Sequence, residues 1–118
     1  MNIEQVRLCC LSLPGAGECF PFGKFPRGGD VLVFKVEGKI FLMCDLADPP
    51  LRIEVKCAPE YAEMLRGRYR AVEKGFANGW NTILLSGDMG SEELRRWIEH
   101  SYRQVIAGLP RRLREKYA

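Results

Sequence analysis

No apolar run in this 118-residue chain reaches the roughly 18 residues of a membrane-spanning helix. Histidine is nearly missing, with His100 alone. Five cysteines are present (Cys9, Cys10, Cys19, Cys44 and Cys57), but none forms a CxxC pair. The spacings of a zinc ladder are therefore absent, as are an EF-hand loop and a glycosylation acceptor. Met1-Asn2-Ile3-Glu4 opens into a capped helix pattern rather than the basic-then-apolar start of a secretory segment. Reduced thiols in a cytoplasmic protein are the expectation, and most of them fall in apolar runs as small hydrophobes. Low-complexity segments, repeats and linkers are also missing. With 47% apolar and 28% charged residues, residues 1–118 are expected to form a single domain with one ordinary core.

Charge is present but unevenly spread. Residues 1–60 carry seven basic and eight acidic groups, whereas residues 61–118 carry eleven basic and seven acidic ones. Nine of those eleven are Arg, whose planar fork suits phosphate and carboxylate. The isoelectric point of about 8.7 is below the value of roughly 9 or more usual for a dedicated nucleic-acid domain.

Asn2 and Gln5 stand at capping-box spacing, and Ile3, Val6, Cys9, Cys10 and Leu13 follow at helical spacing until Pro14-Gly15. Residues 14–29 are rich in Gly and Pro and read as loop, with a short strand expected around Glu18–Phe22. Val31–Val36 and Lys39–Cys44 flank Glu37-Gly38, which predicts a two-residue hairpin pairing Val36 with Lys39 and Phe34 with Phe41. That register places Leu32, Phe34, Val36, Phe41 and Met43 on one face. Val31, Val33, Ile40, Leu42 and Cys44 fall on the other. Both faces are apolar, so the second is expected either to be covered or to be offered to a partner.

Leu51, Ile53, Val55 and Cys57 alternate with charged residues as a half-buried strand. Pro59 begins a helix that Gly67 is expected to close. Ala71–Phe76 and Trp80–Ser86 are further strands. Ser91 is expected to cap a long helix whose stripe is Leu94, Trp97, Ile98, Ser101, Tyr102, Val105 and Leu109. Pro110–Tyr117 makes a last short helix. This order predicts an α+β fold, a two-layer domain with a mainly antiparallel sheet and helices on one face.

Catalytic chemistry finds little support in the residues. GAGECF, at residues 15–20, has Phe20 where a dinucleotide fingerprint needs its third Gly, and it follows a helix rather than a strand. Gly17 and Gly23-Lys24 are one residue too far apart for a phosphate loop, and Phe25 replaces the Ser/Thr that would hold magnesium. His100, near the edge of the long helix's polar side, reads as a surface residue. Asp30, Glu37, Asp45 and Asp48 are scattered over loops and turns without forming an acid–base pair. The expectation is a non-enzymatic protein without catalytic residues, cofactor or metal.

Three stretches could contact a ligand. Arg66, Arg68, Tyr69 and Arg70 with Lys74 interleave cations with an aromatic ring, a pattern suited to phosphates and stacking but also to a plain helix C-terminus. Arg111 and Arg112, with Arg114 and Lys116, form a basic tail that is otherwise a solvated face. Residues 74–82 join Lys74, Asn78, Trp80 and Asn81 around an Asn-Gly turn. Either Trp80 anchors the next strand in the core, or the loop is a wing presenting Lys74, Asn78 and Asn81 to a ligand.

Three elements together resemble the MmcQ/YjbR family of small bacterial proteins. They are Pro59-Glu60 with Leu65 and Tyr69, Asn78-x-Trp80-Asn81-Thr82 leading to Gly87-Asp88, and Glu93-Leu94 with Ser101-Tyr102, Val105 and Leu109-Pro110. Leu13-Pro14-Gly15-Ala16 and Gly38-Lys39-Ile40-Phe41 extend the resemblance over nearly the whole chain. It implies a CyaY-like (frataxin-like) fold and a DNA-binding role through two wings of strand and loop. The chain departs from many members just before Trp80, where Asn78-Gly79 replaces a basic residue and His. Frataxin-type iron binding needs an acidic first helix, and here that helix has only Glu4. The resulting expectation is a DNA-binding protein that uses Arg66, Arg68, Arg70, Lys74, Arg111 and Arg112 for phosphates. Tyr69 or Trp80 would stack, and Asn78 or Asn81 would add polar contacts. The other reading is a protein-interaction or small-ligand module using the apolar sheet face. No membrane or metal partner is expected, and the expected state is a monomer or weak homodimer.

Overall fold

The computed structural model describes all 118 residues. Helix α1 (Ile3–Leu11) begins with the expected capping box: the Asn2 side chain accepts from the Gln5 N–H, and the Gln5 side chain accepts from the Asn2 N–H. The chain then passes through β1 (Ala16–Cys19), β2 (Val31–Val36), β3 (Lys39–Asp45) and β4 (Arg52–Lys56). Helix α2 (Pro59–Arg68), β5 (Val72–Lys74), β6 (Trp80–Leu84), α3 (Ser91–Ala107) and α4 (Arg111–Arg114) follow, with a 3₁₀ turn over Glu115–Tyr117 at the end. The fold is α+β, with a six-stranded antiparallel sheet in the order β1-β2-β3-β4-β6-β5. Helices α1, α2 and α3 pack on one of its faces.

Strand alternation determines that face. Leu32, Phe34, Val36, Ile53, Val55, Val72 and Ile83 join Val6, Cys10, Ala62, Leu65, Leu94, Trp97, Ile98, Tyr102 and Val105 in one core. The long-helix stripe is buried as its spacing predicts, while Arg95, Arg96, Glu99 and Arg103 are exposed. Cys10, Cys44 and Cys57 are buried, and burial pushes the Cys44 and Cys57 thiols up to about 11. They are inert apolar fillers at neutral pH.

Several boundaries differ from expectation. The first strand begins at Ala16 rather than Glu18. Gly67 lies within α2, and Tyr69 closes that helix. Gly90, not Ser91, is the N-cap of α3. The hairpin turn is as expected, with Glu37 and Gly38 at φ +50° and +75° and Val36 opposite Lys39. Beyond Lys35–Ile40, however, Phe34 pairs with Leu42 instead of Phe41, because β3 carries one extra residue in a bulge. Phe41, Leu42 and Cys44 thus all enter the core. The bulged Phe41 C=O accepts the Ser101 hydroxyl of α3, and Ser101 Oγ accepts the Lys56 N–H at 2.8 Å. One buried serine therefore ties α3 to both β3 and β4. The face away from the helices is left with Val31, Val33, Ile40 and Met43. Val33 is fully buried and the other three are half-buried. No helix is long and apolar enough to cross a membrane.

Candidate functional site

One end of the sheet gathers cations from adjacent strands. Lys39 begins β3, Lys56 ends β4 opposite Trp80 at the start of β6, and Lys74 ends β5 opposite Asn81. Lys39 and Lys74 are three inter-strand steps apart and offset by three residues along the strands, which puts them about 17 Å apart along the backbone. Trp80 is half-buried and separates two clefts. On one side lie Lys39, Ile40, Lys56, Val105 and Leu109, around about 510 Å³. On the other lie Pro59, Glu63, Arg66, Lys74, Asn78 and Gly79, around about 350 Å³. Of the two readings of Trp80, the structure gives neither alone: the indole bounds both clefts and begins a core strand.

Arg66 projects from α2 and is held by Asn81, whose Oδ1 accepts from Nη1 at 2.7 Å. Asn81 is fully buried because it shares the core-facing row with Ile83, and its Nδ2 donates to the Ala62 C=O at 3.1 Å. Its amide is thus spent inside the fold, and it acts on the cleft only by fixing Arg66. None of Lys39, Lys56, Arg66 and Lys74 is in an ion pair, whereas Arg7, Arg96, Arg103, Arg111 and Lys116 all are. Glu63 is the one carboxylate lining the Arg66 cleft.

The turn carrying Asn78 is tightly built. Gly75 N–H donates to the Trp80 C=O at 2.9 Å, Trp80 N–H to the Ala77 C=O at 3.1 Å, and Cys57 N–H to the Gly79 C=O at 2.7 Å. A Cβ on Gly75 would stand 2.6 Å from the Trp80 carbonyl group, so only glycine fits. Gly79 takes φ +83°. Glu54 of β4 accepts from Thr82 Oγ1 at 2.7 Å close by, and burial pushes its carboxyl up.

The remaining sequence-selected residues lie elsewhere. Arg68 lines a separate groove between α2 and α3 with Tyr61, Met64, Glu93, Arg96, Trp97 and His100. Tyr69 is half-buried and packs against the core, with the Arg68 guanidinium 6.0 Å from its ring centroid. Arg70 is exposed at the entry to β5, where its N–H and that of Ala71 donate to the Asp88 carboxylate at 3.0 and 2.8 Å. Those two bonds hold Asp88 below the usual carboxylate range. Arg111 pairs with Glu115 at 3.2 Å, and Arg112 is exposed on α4. The C-terminal turn leads back to the β2–β3 turn, where Tyr117 OH donates to Glu37 at 2.9 Å.

Sequence reasoning missed Lys39, Lys56 and the positioning role of Asn81. Strand alternation carried the last signal, since Asn81 shares parity with Ile83. His100 is not a free surface residue. Its Nε2 accepts from the Ala58 N–H at 3.2 Å, its ring stands edge-on to Tyr61 and Trp97, and burial lowers its pKa. The packing of α2 against α3, which no helix-face count reveals, encloses it.

A family model described as YjbR matches residues 11–104. The uncharacterised protein YjbR of Escherichia coli K12 is 25% identical over 118 residues, covering 98% of this chain and 96% of that one. The uncharacterised protein YbdF of Escherichia coli O157:H7 is 27% identical over 113 residues, covering 92% and 88%. The crystal structure of Deinococcus radiodurans protein DR2400, a DUF419 domain, is similar at TM-score 0.86 and 29% identity, over 98% of this chain and 87% of that one. A Pseudomonas syringae protein shares the fold at TM-score 0.70 and 24% identity, over 88% and 98%.

Proposed function

The chain belongs to the YjbR family, and from that premise we propose that it is a non-enzymatic nucleic-acid-binding domain whose contact surface is the Trp80 end of the sheet. One observation carries the reading: four cations from four different elements meet around a tryptophan, and none has a carboxylate partner. Four around an aromatic ring suit a phosphate backbone with bases or sugars beside it. Held by a neutral amide, Arg66 retains its full charge and its unused N–H donors for phosphate. The Arg66 cleft has Glu63 without a histidine or second carboxylate, which supports binding over acid–base chemistry. Contacts of this kind position a polyanion and read little sequence.

Titrating labelled DNA by fluorescence anisotropy at several salt concentrations tests the proposal. Saturable binding at micromolar protein that weakens with salt is expected. Changing Arg66 and Lys74 together to Ala should flatten the log K–log salt slope by about 1.4 to 1.8 units. An unchanged slope would remove the cleft from the contact surface.

A further inference from the structure

We infer that the ligand strand is unpaired and that Phe76, on the β5–β6 turn, stacks on one of its bases. This rests on the nucleic-acid reading of the Trp80 end. Phe76 is 62% exposed, yet its ring is not loose. It lies tilted against the Trp80 ring, with centroids 5.1 Å apart and planes at 51°. The turn beneath it is fixed by the Gly75–Trp80 and Trp80–Ala77 hydrogen bonds. The fold thus holds a large apolar ring in water, two residues after the unpaired Lys74 and against the indole that Lys56 faces across the strand pair.

Charge alone does not explain that ring, because a phosphate backbone offers a phenyl face nothing to bury against. A base face does. In a duplex the base faces are stacked on each other, and only the groove edges are presented. An unpaired strand offers each face in turn, and stacking on an aromatic side chain tolerates any base. The cation track is about 17 Å long, so it follows a few nucleotides of one backbone, with the ring beside it to take a base.

The test uses the intact chain and three labelled probes: oligo-dT of twelve nucleotides, a twelve-base-pair duplex, and a twelve-unit abasic strand with the same phosphate count as the oligo-dT. The duplex carries twice the charge of either strand, so a preference for oligo-dT runs against simple electrostatics. Oligo-dT is expected to bind the most tightly of the three. Phe76→Ala and Phe76→Leu should weaken oligo-dT about five- to tenfold. Both should leave the abasic strand and the salt slope unchanged, and Phe76→Trp should retain affinity. Circular dichroism and thermal melting of each variant separate this loss from unfolding. The inference is overturned if the abasic strand binds as well as oligo-dT. It is equally overturned if the duplex binds as tightly, or if the Phe76 variants lose as much on the duplex, which would make the ring a wedge for paired DNA. Binding to none of the three at low salt overturns the nucleic-acid reading itself along with this one.

Discussion

Arg7 and Arg66 are both held by side-chain oxygens, the first by three bonds to two carboxylates and the second by one bond to a neutral amide. At the β1 edge, Arg7 of α1 donates to Glu18 at 2.8 and 2.6 Å and to Glu4 at 2.9 Å. At the Trp80 end, Arg66 donates to the amide oxygen of Asn81 at 2.7 Å. Both guanidiniums are oriented, and both line clefts. Two carboxylates answer the charge of Arg7, so its neighbourhood is closed to an anion. A neutral amide answers none of the charge of Arg66. Orientation without neutralisation is what a phosphate site requires, since the fixed donor keeps its full attraction. The charge excess of the second half says less than this difference, because Arg96, Arg103 and Arg111 belong to that half and are already paired.

The comparison breaks first at the cleft itself. Arg66→Ala with Lys74→Ala removes two charge-assisted contacts, each worth about 1.5–3 kcal/mol. Affinity for labelled DNA should fall by about a hundredfold or more, alongside the slope change given above. Asn81→Asp then rebuilds the Arg7 arrangement around Arg66. The new carboxylate neutralises the guanidinium and turns an oxygen toward the Ala62 C=O that Nδ2 now serves. Affinity should drop about fivefold and the salt slope by close to one contact, about 0.7 to 0.9 units. A lower melting temperature with an unchanged slope would reduce Asn81 to a purely structural residue.

Glu18→Gln is the converse exchange and frees part of the charge on Arg7. DNA affinity should stay within about twofold, because charge without the flanking lysines and tryptophan leaves nothing for a strand to follow. Its measurable effect is on acid stability. Arg7 holds the Glu18 carboxyl below its ordinary value, so the ion pair stabilises the fold above the unfolded carboxyl pKa. That contribution disappears as pH falls through the lowered folded value. Melting curves from pH 6 down to 3 should therefore be flatter for the variant. Smallest of all, Arg68→Ala with Arg70→Ala should leave the slope within error of wild type, since neither side chain lines the Trp80 clefts. A drop as large as that of the Arg66 and Lys74 pair would return the site to the run of arginines.

That last comparison shows why the elements were more legible than the site. The helices, the hairpin turn and the long-helix stripe follow local periods of 3.6 and 2, which the residues display directly. The run Arg66-Gly67-Arg68-Tyr69-Arg70 reads as one basic patch only while it is a string. On a helix, positions two apart point about 200° from one another, so Arg66 faces the β5–β6 turn and Arg68 faces α3. The Phe41 bulge carries no glycine or proline to announce it. Ser101 and Tyr102, prominent in the family resemblance, are structural ties to the bulge and to the Pro14 C=O.

The sequence by itself determined the family, the α+β order of elements, the capping box of α1, the Glu37-Gly38 turn and the stripe that α3 buries. Each depends on neighbours within a few residues or on an ordered series of motifs. Only the tertiary structure decided which cations share a surface and which are neutralised. Lys39, Lys56, Arg66 and Lys74 are brought together by strand order and by the seat of α2, over separations that no local period spans. Their freedom to meet an anion depends on which polar group, amide or carboxylate, the fold carries to each of them.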